Sequence, residues 1–186
     1  LQAKDLKLVK GETAEVALVV DGDTIKLKHA IGKGNLVSEQ IRLVGIQAPK
    51  LPLGRKNFKT WPLAAVAKRA LEKLALGKKV TLSYGGRRMD RHGRLLAHLH
   101  LPDGAWIQGA LLSQGMARVY SFPDNRAVIA EMLSKEKSAR AQKLGIWRHP
   151  FYRIQAQTEL VTGLKQLKNS FQLIEGRVLD VTRLRN

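Results

Sequence analysis

Cysteine is absent from the 186 residues. That excludes disulfides, thiolate metal sites and cysteine nucleophiles, and leaves the redox compartment open. Long apolar runs are absent as well. No stretch approaches the roughly 20 residues of a membrane-spanning helix, so no membrane insertion is expected. No signal peptide is recognisable at Leu1, and a start without Met is compatible with a removed upstream segment. Acid is scarce: 15 Asp and Glu face 33 Lys and Arg, for a net charge of +18 and a pI near 10.6. That balance favours a polyanionic partner, nucleic acid ahead of an anionic membrane surface. Wholesale disorder is not expected, because 44% of the residues are hydrophobic. The length suits one domain with a core, with or without an appendage.

The positive charge is concentrated. Residues 50–91 hold twelve Lys and Arg against two acids, Glu72 and Asp90, a local excess of ten. Such a block is either a solvated face or a surface that meets phosphates.

Periodicity gives the elements. VALVVDGDTIKLK (16–28) reads as two strands joined at Asp-Gly, a hairpin signal. EQIRLVGI (39–46), KKVTLSY (78–84) and RLLAHLHL (94–101) read as three more strands. Between the third and fourth, Thr60 can cap a helix that opens near Pro62 and stops at Gly77. WIQGALLSQG predicts a short helix closed by Gly115, and residues 126–145 a long amphipathic one ending at Gly145. Five strands and three helices in this order predict an α+β chain with a five-stranded OB-like β-barrel, a fold whose face and loops bind oligonucleotides. Residues 148–170 read as a linker with a weak helix. FQLIEGRVLDVTRLRN (171–186) reads as a further strand pair. The expected division is therefore a domain over 1–148 and an appendage over 149–186. That appendage is either the start of a truncated second domain or a ribbon that packs back on the barrel.

Five stretches, in order, resemble the staphylococcal nuclease-like (thermonuclease) family over residues 14–148. They are DGDTIKL (21–27), IRLVGIQAP (41–49), DRHGRLLA (90–97), GALLSQGMARV (109–119) and AQKLGIW (141–147). The resemblance implies the OB barrel with helices and calcium-dependent hydrolysis of DNA and RNA phosphodiesters. It also implies roles. Asp23 matches the first metal carboxylate, Thr24 follows it as in the family, and Asp21 matches a neighbouring supporting acid. Arg42 and Arg94 match two phosphate-clamping arginines, a task suited to the bidentate guanidinium. His92, Tyr120 and Phe122 match positions that line the nucleotide base, although packing accounts equally well for the two rings and a turn for His92.

The turn after Arg42 departs from the family. Active relatives carry a second metal carboxylate and a glutamate base there. This chain has Gln47 and Lys50 instead. Gln47 keeps an amide oxygen without charge, and an ammonium cannot accept a proton. Loss of a general base costs about 10²–10⁴-fold in rate. Calcium prefers carboxylate oxygens, so the site is expected to be weakened, with Lys50 free to pair with Asp23 instead. Glu39 and Asp90 are poorly placed to substitute. His98 and His100 share a strand face but lack a third ligand. Trp61, Trp106 and Trp147 read as packing residues. WPLA at 61–64 departs from the acid-bearing helix opening of the family.

Three readings stay open. The first is a nuclease-like domain that binds single-stranded DNA or RNA, or another phosphate ligand, with cleavage weak or lost. The second is an active metal-dependent endonuclease that uses Asp21 and Asp23. The third is a protein-interaction scaffold. Export is the favoured compartment, because members of the family are often exported, and the oligomeric state is undetermined.

Overall fold

The structure is a computed structural model that describes residues 7–156 and 172–182. Strands β1 (Val9–Asp21), β2 (Thr24–Lys33) and β3 (Leu36–Leu43) form an antiparallel meander. A two-residue strand, β4 (Ile46–Gln47), follows, then helix α1 (Ala64–Ala75). Next come β5 (Lys79–Tyr84), β6 (Leu95–His100) and helix α2 (Ile107–Ser113). The two-residue β7 (Arg118–Val119) precedes helix α3 (Ile129–Ala141). Two single-turn 3₁₀ helices (Gly145–Arg148 and Pro150–Tyr152) and two short strands, β8 (Ile154–Ala156) and β9 (Leu173–Glu175), complete the described elements.

The five strands expected from the sequence close on themselves in the order β1-β2-β3-β6-β5. Every pairing is antiparallel except β3 with β6. With three α-helices outside it among the described residues, this is the expected α+β, OB-like architecture. The inward set follows the period of two that a half-buried strand imposes. Ile25 and Leu27, Ile41 and Leu43, Val80 and Leu82, and Leu95, Ala97 and Leu99 are all fully buried. β1 breaks the period, with Val16 and Val19 inside, because register shifts between Val16 and Asp21 bulge the strand.

Helix residues join the same core. α1 offers Ala67, Leu71 and Ala75, one face at helical spacing. α2 adds Ile107, Leu111 and Leu112. Each such aliphatic side chain contributes about 1.5–3 kcal/mol through burial. The buried Gln108 carboxamide bridges β6 in the manner of a neighbouring strand. Its Oε1 accepts from Leu99 N–H at 3.0 Å, and its Nε2 donates to the Ala97 carbonyl at 2.9 Å.

Some expectations shift. α1 begins at Ala64, and the residue before it, Leu63, has a left-handed backbone with no side-chain cap, so Thr60 does not cap it. The approach is set instead by Trp61 N–H, which donates to the Lys50 carbonyl at 3.0 Å and ties the intervening loop at its base. Gly77 and Gly115 do close their helices, both at positive φ. The last helix starts at Ile129 rather than 126 and ends at Ala141, with the chain turning through Lys143 (φ 51°) to Gly145.

Of the strand pair expected in 171–186, one member forms, Leu173–Glu175. It pairs in parallel with Ile154–Ala156, inside the stretch read as a linker. Residues 176–182 carry no strand. The remainder of that linker and of that pair lies outside the described residues. The β8–β9 ribbon meets α3, where Arg140 reaches Glu175 at 3.7 Å.

Candidate active site and arginine cleft

The tip of the β1–β2 hairpin is buried, which is unusual for a turn. Gly22 makes this fit: a Cβ there would lie 2.6 Å from Ala48 Cβ and 2.9 Å from Ala67 Cβ. The tip thus presses against α1 and the turn after β4, and Asp23 is fully excluded from water. A dry carboxylate needs hydrogen bonds and positive charge. Its Oδ2 accepts from Ala48 N–H at 2.8 Å, and Thr24 Oγ1 donates to its Oδ1 at 3.2 Å. Lys50 Nζ donates to both carboxylate oxygens, at 2.9 and 2.8 Å. Arg42 Nη2 stands 3.3 Å from Oδ2. Asp21 accepts Asp23 N–H at 3.1 Å and lies 3.6 Å from Lys50 Nζ.

Lys50 therefore occupies the space between the two carboxylates. Burial alone would raise the Asp23 carboxyl, but Arg42 and Lys50 outweigh it and hold it well below the usual carboxylate range. Asp21 moves the other way, pushed up by burial and then by the charge of Asp23.

This donor set does not fit calcium, which takes six to eight oxygens with carboxylates foremost. The oxygens facing inward are engaged by an ammonium and by N–H and O–H donors. Among the described residues no group of three or more His, Asp or Glu side chains is placed to hold a metal ion. That includes the His98–His100 pair. His98 is buried against Trp106, ring centroids 5.6 Å apart, and burial lowers its imidazole to about 4. His100 lies 3.4 Å from Ser83 Oγ.

Gln47 turns away from Asp23. Its Oε1 accepts from Arg118 Nη2. The β4–β7 pairing brings the two together by setting Gln47 opposite Arg118. Glu136 of α3 accepts Val119 N–H beside them, and its carboxyl is raised by burial. Sequence reasoning missed Arg118 and Glu136. Their roles depend on a two-residue strand too short to leave a periodic signal.

Arg42 is bound into the same turn. Its terminal nitrogens donate to the carbonyls of Asp23, Leu43 and Ile46 as well as approaching Asp23 Oδ2. Gly45, at φ 81°, lets the chain fold around it, and a Cβ there would strike Met132 of α3 at 2.6 Å. Parallel pairing of Ile41 with Leu95 carries Arg94 to the flank of the strand bearing Arg42. Arg94 grips Asp90 through Nε at 2.8 Å and Nη2 at 2.7 Å. Its backbone and side-chain donors hold that carboxyl low despite partial burial.

These elements enclose a cleft of about 510 Å³. Arg42, Arg87, Arg91 and Arg94 line it against two acids, Asp90 and Asp124. His92, Tyr120 and Phe122 stand in its wall, so five of the residues singled out from sequence converge there. Tyr120 and Phe122 meet edge to face at 5.0 Å and are 39% and 52% exposed, so their rings remain accessible. Asp23, Asp21, Lys50 and Gln47 lie behind Arg42 rather than in the lining.

A family model described as staphylococcal nuclease homologue matches residues 40–149. The chain is 34% identical over 140 residues to the SPbeta prophage-derived endonuclease YokF of Bacillus subtilis (strain 168), covering 73% of this chain and 45% of that protein. It is 31% identical over 135 residues to endonuclease YncB of the same organism, covering 72% and 60%. It is 30% identical over 139 residues to the thermonuclease of Staphylococcus intermedius, covering 75% and 78%. The chain thus spans about half the length of the two Bacillus proteins. A match of this extent, laid over a closed five-stranded barrel with three helices, makes the chain a member of the staphylococcal nuclease-like family.

Proposed function

We propose that this domain binds single-stranded nucleic acid through the arginine cleft and hydrolyses it weakly or not at all. One observation carries the reading: Lys50 Nζ sits within 2.9 Å of both oxygens of Asp23. In an active relative those oxygens would face a metal, and the Lys50 position would hold a base. Here a tethered cation neutralises the carboxylate, and an ammonium that cannot accept a proton stands where the base would be. The cleft itself supports binding. Four guanidinium groups supply the charge, and two exposed rings offer faces for a base. With Arg42 braced by backbone carbonyls, Arg94 and the outer arginines make the phosphate contacts, while Arg42 contributes mainly field.

Binding of a labelled oligothymidylate as a function of salt tests the first half. Three or four phosphate contacts give a log–log slope of about −2 to −3. A flat dependence would point to the scaffold reading instead. Calcium titration by calorimetry tests the second half. No resolvable heat is expected, and micromolar binding strengthened by nucleotide would overturn it.

A second reading has one support, the naming of the relatives as endonucleases. On that reading Asp21, Asp23 and a backbone carbonyl recruit a metal after Lys50 swings out. Cleavage in calcium, magnesium or manganese that Asp23→Ala abolishes would establish it.

A further inference from the structure

The loop that leaves Lys50 carries no acid as far as Leu71. It does carry Arg55, Lys56 and Lys59, all exposed. It also carries rings. Arg55 stands over Phe58, its guanidinium carbon 3.7 Å from the ring centroid. Phe58 stacks on Trp61, 6.4 Å between centroids with planes 24° apart, and Trp61 meets Phe151 at 5.8 Å. Among the described residues this makes a ladder of one guanidinium and three rings, continued by Phe151 onto Tyr152 at 4.9 Å. Its root is fixed, because Trp61 N–H donates to the Lys50 carbonyl.

The top of the ladder is preorganised. Arg55 Nε donates to the Pro52 carbonyl at 3.0 Å, and Nη2 donates to the Leu51 carbonyl at 2.6 Å. Both bonds lie at the guanidinium edge, so they fix the plane while Phe58 supports one face. Backbone strain also gathers here. Leu53, Asn57 and Leu63 are three of the four non-glycine residues with positive φ among the described residues. Strain of this kind persists where the surrounding contacts over-determine a loop.

We infer that the Arg55–Phe58–Trp61 ladder is a stacking station for a nucleobase of a single strand that leaves the arginine cleft. This rests on the cleft reading and extends it to a longer ligand. Guanidinium planes and aromatic rings are the surfaces on which unpaired bases stack. Lys56 and Lys59 flank the station and meet the backbone phosphates. Stacking tolerates any base, so the station lengthens the binding site without adding sequence preference. Arg55 is the residue in contact. Phe58 and Trp61 position it.

The test compares two labelled probes on the full chain by fluorescence anisotropy. One is a 5′-phosphorylated thymidine dinucleotide, short enough for the cleft alone. The other is an oligothymidylate of about 12 residues, within the ~4–16 nucleotides an OB fold covers. Arg55→Lys keeps the charge and removes the plane. Phe58→Leu removes the support without emptying the site. Each should weaken the long probe about tenfold and leave the dinucleotide unchanged. An oligomer with abasic sites should bind the wild type and both variants equally.

Unchanged affinity for the long probe in both variants overturns the station and leaves the cleft reading standing. An equal loss with the abasic oligomer overturns it too, because charge would then be the cause. If the wild type ignores the dinucleotide yet holds the long probe in an Arg55-dependent way, the cleft reading fails and the station survives. If it binds neither probe, both fail.

Discussion

Replacing Lys50 with Gln removes the ammonium that neutralises Asp23 while keeping a polar side chain of similar reach. Breaking a fully buried ion pair costs about 3–5 kcal/mol. Asp23 is fully buried, but the Lys50 side chain is 19% exposed. Asp23 also keeps Arg42 at 3.3 Å and the Ala48 N–H at 2.8 Å. The expected loss is therefore lower, about 2–3 kcal/mol at pH 7. For a chain of this length that is a fall in Tm of about 5–10 °C.

The pH dependence gives a second readout. Asp23 is held below its unfolded value, so its stabilisation is complete above about pH 4 and disappears as pH falls through the folded value. Without Lys50 that depression shrinks. Asp21, already raised by burial and by Asp23, rises further, so its effect at neutral pH has the same sign. The gap between wild type and variant should be widest at neutral pH and should narrow below pH 4. Urea unfolding followed by circular dichroism over a pH series reads both quantities. Equal stability at pH 7, or a gap that persists unchanged into acid, would refute the account of Lys50 as the counter-ion of Asp23.

Gln47→Asp combined with Lys50→Glu should create or raise calcium-dependent cleavage of single-stranded DNA, by up to the ~10²–10⁴-fold that a general base contributes. No gain in a folded variant would mean that the backbone of the turn has also moved from a productive geometry. His98 is held down to about 4 by burial, below its unfolded value near 6.5. Its contribution is full above pH 6.5 and is lost as pH falls toward 4, by about 3 kcal/mol in all. His98→Leu should remove that slope from an unfolding series, and an unchanged slope would place the acid sensitivity elsewhere. Stripping divalent ions with a chelator should leave the Tm of the wild type unchanged. A fall of several degrees would show that a bound metal contributes to the folded state.

The barrel was legible because its signals are local and repeated. Alternating Ile, Leu and Val mark each strand, and Asp-Gly marks the hairpin. Gly77 and Gly115 mark helix ends at left-handed backbone that other residues resist. The closed five-stranded barrel is predicted by the order of strands and helices as well as by the resemblance, whereas the pairing of β3 with β6 has no local signal of its own. The sequence leaves Lys50 free to pair with Asp23 without requiring it, and the two are paired. What could not be read is set by contacts distant in sequence. Gln47 was weighed as a weak ligand, yet its amide oxygen is claimed by Arg118, 71 residues away. Thr60 has the chemistry of a cap, but the loop is already tied by Trp61 to Lys50, which leaves Leu63 to enter the helix. Arg42 reads as a phosphate clamp by type and place. Its terminal nitrogens are nonetheless engaged by carbonyls of its own turn, a commitment no periodicity encodes.

The buried acids explain why the fold tolerates such a change at its centre. Gly22 packs the hairpin tip against Ala48 and Ala67, so Asp23 is dry whatever the chemistry of the site. A dry carboxylate with a second one beside it demands positive charge. Arg42 supplies one cation and is itself fixed by the turn. The remaining demand can be met by a metal ion or by a side chain, and the two differ in a way that matters for function. A metal brings open coordination positions, and with them a route to polarise phosphate and activate water. An ammonium brings three donors and no open position. Lys50 meets the same electrostatic need without dependence on any dissolved ion. On the proposed reading, the lysine that stabilises the tip also closes the chemistry, while the arginine cleft in front of it, built from β3, β6 and the segment after β7, carries the charge and the exposed rings.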